Sequence, residues 1–477
     1  MALVADLANI VGVDYVTDVP AVCEKYSEDY SFVNPRMPSC VVYARDAGEV
    51  QAVVKYANDH LLAVTPRSSG VGFYGAGIPS QGGIALDLTR MNRILEVDGD
   101  NKRVKVEPGV TWVQLQEELK RHGLMVCNPL LPHPLKSVLT SSMEREPILI
   151  PKGEYSDTFE TAEIVLPDGE IYYTGTAIGR GMKGGNFPEG MIPSTRLFLG
   201  AQGTLGIITW ANIKAEWLPT VDKVFLIPFT GIDSIIEPVY RIQRRMLGNE
   251  CLVLNSLNLA AILAQGWPDE FEAFRKTLPP WTLILCLSGL NRLPEEKIEY
   301  EEEALRDVAA ELGFSVSAEG TSITGLKSRL SGMLRKPWPG DVYWKFRHKG
   351  SCHDIFFYTT LNRVAEFTDS MGEVAAKYNY PTADIGFYLQ PVERGRACFC
   401  QYGFHCDPGD AEDVARVRSL YLEASELAIS MGGIFTTPYG YWADMVYSRT
   451  AAYTDVMRLV KDALDPNNIM NPGRLCF

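Results

Sequence analysis

The 477-residue chain is 46% hydrophobic and 22% charged, and no apolar run approaches the roughly 18 residues that a membrane-spanning helix needs. Its 59 acidic and 45 basic residues give a net charge of −14 without any stripe of Lys or Arg, which argues against a nucleic-acid partner. The length exceeds that of one ordinary domain, so we expect two or three domains.

The cysteines and the first residues indicate a compartment. The ten cysteines include no C-x-x-C pair and no Cys/His group with the spacing of a zinc or cluster site, so we expect buried, reduced thiols and no metal. Residues 1–6 lack the basic segment of a signal peptide, and Asp6 interrupts any apolar core there. The sequence therefore predicts a cytoplasmic protein.

The first elements predict a β-α-β start that leads into a glycine-rich loop at 66–79. Gly70, Gly72 and Gly75 spell G-x-G-x-x-G, but the following residues predict a strand at 84–88 instead of the helix that a dinucleotide fold needs. Successive glycine and serine N–H groups can nevertheless surround a phosphate without a helix. A plain turn between two strands is the alternative.

Further along, Thr111 and Gln114 form a capping box that predicts a helix to about residue 122. Residues 128–155 predict a long irregular segment, and segments of that length in compact domains are usually functional. A hairpin is expected over 161–173. The glycines at 199–208 are spaced so that the backbone can lie flat against a planar group.

The pattern changes past residue 219. Strand-helix-strand units at 224–254, 281–316 and 354–404 predict a second α/β domain with a boundary near residue 220. The tail at 459–474 predicts an amphipathic helix followed by a turn.

Six segments carry a resemblance to a known family: 66–77, 84–94, 106–111, 141–145, 203–207 and 465–474. In this order and spacing they resemble the vanillyl-alcohol oxidase and p-cresol methylhydroxylase family of FAD enzymes, which is related to the glycolate and D-lactate FAD dehydrogenases. The resemblance implies an α+β fold. Its two-part FAD-binding domain would comprise residues 1–220 and the helix and turn at 451–477, and residues 221–450 would form an α/β cap with an antiparallel sheet.

The resemblance also implies which residues hold the FAD. Diphosphate donors would be Arg67, Ser68, Ser69, Gly70, Val71, Gly72 and Phe73. Residues that reach the isoalloxazine and ribityl side, with the neighbouring loop, would be Ser137, Thr140, Ser141, Ser142, Gly153 and Glu154. The adenine-side strand and flavin face would include Gly203, Gly206, Ile207 and Ile208, and the chain would return to the flavin ring with Asn471 and Arg474.

Substrate binding departs from the family pattern. Phenol-oxidising members bind phenolate through two tyrosines and an arginine, because a stabilised phenolate loses hydride more easily from its para-benzylic carbon. Tyr74 fills the first of these places, whereas the C-terminal Tyr-Arg pair is replaced by Phe435 and Thr436. Tyr439 or Tyr441 from the next turn is the candidate substitute.

Arg396 stands where the family has one of its paired cap histidines. A strand arginine directed at a pocket would bind a carboxylate through two parallel hydrogen bonds. An exposed ion pair with Glu393 is the alternative. The metal-binding His-x-Gly-Asp-Gly-Asn-x-His signature of the D-lactate and glycolate enzymes is absent, since the segment around His405 has one histidine and the wrong spacing.

The resemblance implies an FAD-dependent oxidoreductase that transfers a hydride from an aromatic alcohol or alkylphenol to flavin N5. One alternative is a 2-hydroxy-acid dehydrogenase that holds its substrate by Arg396 and passes electrons to an electron-transfer flavoprotein, a cytochrome or an iron–sulfur subunit. Another is a flavin subunit of a complex with a decayed substrate site. Covalent attachment of FAD through Tyr343, or through His348, and a homodimer are further expectations.

Overall fold

The computed structural model describes residues 2–151, 158–178, 194–316 and 324–477. Their helices, α1 to α14 in chain order, are Ala2–Val11, Pro20–Cys23, Ala47–Asp59, Trp112–Arg121, Val138–Met143, Asp233–Arg244, Ser256–Leu263, Asp269–Thr277, Pro294–Leu312, Thr324–Met333, Val364–Lys377, Ala411–Ser430, Tyr441–Tyr447 and Ala451–Leu464. Their strands, β1 to β17, are Val16–Thr17, Cys40–Tyr43, Val64–Arg67, Ile84–Asp87, Ile94–Asp98, Arg103–Val106, Leu124–Met125, Phe159–Val165, Ile171–Tyr173, Ile207–Lys214, Glu216–Trp217, Val221–Phe229, Glu250–Asn255, Trp281–Gly289, Ser351–Thr359, Ile385–Val392 and Ala397–Cys406.

The strands form three larger sheets and one short pair. A four-stranded sheet has the order β1-β2-β4-β3, with β2, β4 and β3 parallel. A five-stranded sheet has the order β5-β6-β10-β8-β9, and a six-stranded sheet has the order β12-β14-β13-β16-β17-β15. The strand pairs of both these larger sheets are antiparallel. The predicted α+β class and the antiparallel sheet in the second half are confirmed.

Local sequence signals account for the first helices. In α3, Asp46 caps the helix by accepting a hydrogen bond from the Glu49 N–H at 3.0 Å. The apolar residues of α3 recur at helical spacing and are buried against the four-stranded sheet, which gives the predicted β-α-β start. In α4, the hydroxyl of Thr111 accepts from the Gln114 N–H, as the capping box predicts.

The glycine loop connects two parallel strands without a helix. Parallel neighbours usually need a helical crossover, but residues 68–83, between β3 and β4, contain only bends and turns. The side chains of Phe73 and Tyr74 leave this loop and pack against the apolar core of the six-stranded sheet. The loop therefore joins the first and second halves of the chain.

Two predictions about elements are wrong. Residues 128–155 are not wholly irregular, because α5 forms at Val138–Met143 with Ser137 as its N-cap. The predicted strand that follows α9 is absent from residues 314–316, which form no ladder, and residues 317–323 lie outside the described part of the chain. Ser137, the N-cap of α5, is a helix-start signal that the sequence analysis assigns to the cofactor instead.

The C-terminal turn returns to β3, where residue Val64 joins it by two backbone hydrogen bonds. The Val64 N–H donates to the Ile469 carbonyl at 2.7 Å, and the Asn471 N–H donates to the Val64 carbonyl at 2.8 Å. The predicted tail helix and turn are thus observed beside the glycine loop. The domain boundaries at 220 and 450 stay proposals. No described helix is long and apolar enough to cross a membrane.

Candidate active site

A cleft lies where the glycine loop, helix α5 and residues 198–208 meet. The predicted cofactor residues that line it are Arg67, Ser68, Ser69, Gly70, Val71, Gly72, Phe73, Thr140, Gly203, Gly206, Ile207 and Ile208. Tyr74 and Tyr439 also line it.

The backbone of the glycine loop presents a row of free donors to the cleft. Among the described residues, none accepts a hydrogen bond from the N–H groups of Ser69, Gly70, Val71 or Gly72. Gly70 has a φ of 74°, which a residue with a side chain rarely adopts. Successive N–H groups of this kind bind anions. The loop therefore suits a diphosphate.

Asn471 and Arg474 fasten the glycine loop instead of lining the cleft. The fully buried amide of Asn471 donates to the carbonyls of Ala76 at 2.9 Å and Gln202 at 2.6 Å. The guanidinium of Arg474 donates to the carbonyl of Ile78. We predicted both residues at the flavin ring. The tail runs along β3, which places them behind the loop, where a buried amide must satisfy its own hydrogen bonds.

Three predicted serines are also structural. The Ser137 hydroxyl donates to the Pro108 carbonyl at 2.6 Å and caps α5. The hydroxyl of Ser141 accepts from the Trp112 indole N–H at 2.9 Å, and that of Ser142 accepts from the Thr158 hydroxyl at 2.9 Å. None of the three lines the cleft, to which α5 contributes Leu139, Thr140 and Met143 instead. The predicted Gly153 and Glu154 lie outside the described residues.

A second, smaller cavity adjoins the cleft and shares Phe73 and Tyr74 with it. Its other aromatic lining residues are His133, Tyr343, Trp344, Tyr388 and Phe399. Tyr74 stacks on Tyr439 with the ring centroids 5.0 Å apart. The wall between the cofactor cleft and the second cavity is therefore largely aromatic, and Tyr74 faces both.

The tyrosines of this wall keep their protons. Burial raises the pKa of Tyr74, Tyr343, Tyr388 and Tyr439 well above its ordinary value, and nearby carboxylates add to the effect. Neutral phenol groups are hydrogen-bond donors. The hydroxyl of Tyr74 has no hydrogen-bond partner in the described parts of the chain, so it is available to a ligand.

A buried charged group that the sequence analysis missed lies beside Tyr74. The ammonium of Lys136, 1% exposed, donates to the carboxylates of Glu144 and Glu146, the second at 2.7 Å. Burial lowers the pKa of Lys136, but the two carboxylates outweigh it and raise the pKa overall. Burial raises the pKa of Glu144 to about 7. The only sequence signal was the presence of charged residues in the proline-bounded segment 128–155.

The structure places Arg396 and Tyr343 differently from the expected positions. Arg396 is exposed in the turn before β17, not within the strand, and it lines neither the cleft nor the second cavity. The strand begins one residue later, so the predicted direction of this side chain is wrong. Tyr343 lines the second cavity and not the cofactor cleft, and covalent attachment of FAD there stays a prediction. No group of three potential metal ligands occurs among the described residues.

Comparison with known proteins agrees with this geometry. Residues 38–175 match the FAD binding domain model, and residues 342–475 match the model for the C-terminal domain of FAD linked oxidases. The chain belongs to the FAD-linked oxidases. It is therefore an FAD-dependent oxidoreductase, as the resemblance of its motifs implied.

Similar proteins cover nearly the whole chain. The glycolate oxidase subunit GlcD of Bacillus subtilis (strain 168) is 26% identical over 94% of this chain and 91% of that protein. A probable mitochondrial D-lactate dehydrogenase of Danio rerio is 26% identical over 99% of this chain and 91% of that protein. The crystal structure of p-cresol methylhydroxylase with substrate bound has a TM-score of 0.86 at 21% identity. The match covers 100% of this chain and 96% of that one, so the two share the fold.

The residues of the cleft fit FAD. The N–H groups at 69–72, which lack partners among the described residues, suit its diphosphate, and Gly203 and Gly206 line the cleft with backbone alone. A Cβ on Gly203 would lie 2.5 Å from Pro66 Cγ. Bound FAD supplies a two-electron acceptor for hydride. The chain would supply the diphosphate donors of the glycine loop and the aromatic wall beside the cleft.

Proposed function

We propose that this FAD-linked oxidase removes a hydride from a small aromatic alcohol or 4-alkylphenol held in the second cavity. The observation that carries the proposal is the hydroxyl of the half-buried Tyr74, which is protonated and has no hydrogen-bond partner among the described residues, at the boundary between the cofactor cleft and that cavity. A donor in this position stabilises the negative charge that loss of the hydroxyl proton leaves on a substrate oxygen, and that oxyanion promotes the departure of hydride.

The shape of the cavity supports an aromatic substrate. Tyr343 and Phe399 lie on its sides, and the offset and edge arrangements available there suit a further ring. Tyr388 already donates its hydroxyl to Gln390 at 3.1 Å, whereas the Tyr74 hydroxyl donates to no residue in the described parts of the chain. The aromatic lining thus recognises the ring of the substrate, and the Tyr74 hydroxyl recognises its oxygen.

The charges of the cavity disfavour a carboxylate substrate. Lys136 is held by two glutamates, and Lys345 is held by Asp354 at 2.5 Å. No arginine lines the cavity in the part of the chain that the structure describes. Strong recognition of a carboxylate usually employs a free arginine. A carboxylate would enter a site whose cations are already neutralised.

A 2-hydroxy acid is the second candidate, because the names of similar proteins include glycolate and D-lactate. Binding such an acid requires Lys136 or Lys345 to release a glutamate or aspartate. Electron transfer to an electron-transfer flavoprotein, a cytochrome or an iron–sulfur subunit is proposed for either substrate. Cytoplasmic location and a homodimer remain proposals as well.

Anaerobic reduction of the flavin tests the function. The FAD-loaded protein is mixed with 4-alkylphenols, benzylic alcohols and 2-hydroxy acids, and loss of the flavin's visible absorbance is followed. We expect reduction by the aromatic compounds. Reduction by 2-hydroxy acids alone would select the second candidate. Reduction by dithionite but by no organic compound would indicate the decayed-site alternative.

A further inference from the structure

The ion cluster formed by Lys136, Glu144 and Glu146 bridges the two cavities. Glu144 lines the cofactor cleft, whereas Lys136 and Glu146 line the second cavity. One ammonium donates to both carboxylates, so the three side chains form a continuous hydrogen-bonded path through the wall. The Lys136 ammonium also lies 5.8 Å from the centre of the Tyr74 ring.

The number of charges in the cluster leaves room for one proton. With both glutamates ionised, the buried Lys136 and the two half-buried carboxylates would carry a net charge of −1 in a region with little access to water. Burying unbalanced charge is costly. One added proton on a glutamate makes the cluster neutral while Lys136 stays paired. The cluster can therefore alternate between two protonation states without moving its backbone.

We propose that the Lys136–Glu144–Glu146 cluster accepts the hydroxyl proton of the substrate, entering through Glu146. The inference rests on the proposed function, because it requires a substrate with a C–H and an O–H bond in the second cavity. The carbon gives up a hydride with two electrons to the bound FAD, and the oxygen gives up its proton to the cluster. The C–O single bond becomes a carbonyl, and the balance of atoms and electrons is complete.

The location of the proton follows from the two cavities. Glu146 meets the substrate, and Lys136 gives a proton to Glu144 as it receives one from Glu146. Glu144, whose pKa burial raises to about 7, holds the proton on the cofactor side. A proton acceptor is most effective when its pKa lies near the working pH.

Other titratable groups face this cluster, and their titration must be distinguished from that of the cluster. They are Asp29 ahead of β2, Tyr74 in the glycine loop, His133 in the 128–155 segment, Tyr343 and Lys345 ahead of β15, Asp354 in β15, Tyr388 in β16 and Tyr439 in the C-terminal segment. The tyrosines have raised pKa values, and burial followed by Lys136 lowers the pKa of His133. Glu144 is therefore the group expected to titrate near neutral pH.

Infrared spectroscopy of the FAD-loaded protein tests proton storage without any substrate. Difference spectra from about pH 5 to about pH 9 span the Glu144 pKa of about 7. We expect a protonated-carboxyl band that titrates near neutral pH in the wild type and disappears in Glu144→Gln or Glu146→Gln. Glu118→Gln, at an exposed helix site paired with Arg121, is the control and should retain the band.

The rate of flavin reduction tests the proton's role. With an aromatic alcohol that reduces the wild type, the rate should rise with pH and level off above about pH 7, as the cluster becomes ionised. Glu146→Gln should lower the rate about 10²- to 10⁴-fold, and Glu144→Gln should abolish the dependence near neutral pH. FAD content and Tm identify any variant that fails to fold. If one glutamate variant fails to fold, the other still tests the proposal.

Two results would overturn the proposal. One is a carboxyl band that survives in both glutamine variants. The other is a wild-type rate and pH profile in both variants, even if the band is lost. If no aromatic alcohol reduces the wild-type flavin, the proposed function fails, but the infrared result still decides whether the cluster stores a proton.

Discussion

Gly203 illustrates how a single residue limits the shape of the cofactor cleft. It has a φ of 74°, and an added Cβ would lie 2.5 Å from the Pro66 ring. Gly203→Ala therefore combines backbone strain with a clash, and we expect a loss of about 1–3 kcal/mol of stability together with weaker FAD retention. The flavin-to-protein ratio after gel filtration and urea denaturation measure both effects.

A matched control separates strain from the clash. Gly313, at the end of α9, has a φ of 73° with no atom within 4 Å of an added Cβ. Gly313→Ala should cost only the strain of the left-handed conformation, roughly 1–2 kcal/mol, and should leave the flavin content unchanged. Equal flavin loss in both variants would contradict the assignment of Gly203 to the cleft.

Single residues of the site were predicted unevenly from the sequence. Gly70 and Tyr74 were identified because a glycine-rich spelling and a family motif mark their loop. Lys136 and Glu146 were missed because they lie ten residues apart around a short helix, and only the folded backbone brings them together. Arg396 was misplaced since a one-residue shift at the end of a strand changes the direction of a side chain.

The tail helix α14 and its turn form an element held by one buried ion pair. Lys461, 3% exposed, donates to Asp465 at 2.5 Å and to the carbonyls of Thr204 at 2.8 Å and Met470 at 2.9 Å. The carboxylate of Asp465 also accepts from the Ile469 and Met470 N–H groups. Through the Thr204 carbonyl, this ion pair connects the tail to the glycine-containing residues 199–208.

Asp465→Asn should leave the Lys461 charge buried without its counter-ion. Removing one partner of a buried pair typically costs about 3–5 kcal/mol. We expect a loss of that size in the free energy of unfolding from urea denaturation. Asp462→Asn, at an exposed position of the same helix, should be within experimental error of the wild type. A similar effect of both substitutions would show that the ion pair does not fasten the tail.

Elements with their own capping or periodic signal were predictable. The N-caps Asp46 and Thr111 begin α3 and α4 where the sequence indicates, since a side-chain oxygen and the following apolar spacing act locally. The absence of a helix after the glycine loop was also correct. Helix α5 was missed because it has six residues, too few to show a helical period between prolines.

At the scale of the whole molecule, the cofactor cleft draws on distant parts of the chain. Its lining comes from the glycine loop, α5, residues 198–208 and Tyr439. Non-local contacts of this kind cannot be derived from local propensity, although the order of family motifs indicated them. A ligand that binds this cleft should therefore stabilise all these segments together.

Hydrogen exchange measures that coupling. FAD added to the flavin-depleted protein should slow amide exchange together in peptides covering 68–74, 198–208 and 436–441, because all three reach one cleft. Peptides from α9 serve as the control, because this helix contributes no residue to the cleft. Their exchange should be unchanged. Protection limited to the glycine loop would contradict a shared site.

The rate of anaerobic flavin reduction in Tyr74→Phe tests the central claim most directly. With the aromatic substrate that reduces the wild type fastest, loss of the Tyr74 hydroxyl should lower the rate about 10²- to 10³-fold, at equal FAD content. Tyr300→Phe, at a position 71% exposed on α9, should match the wild type. An unchanged rate in Tyr74→Phe would contradict oxidation of the substrate in the second cavity.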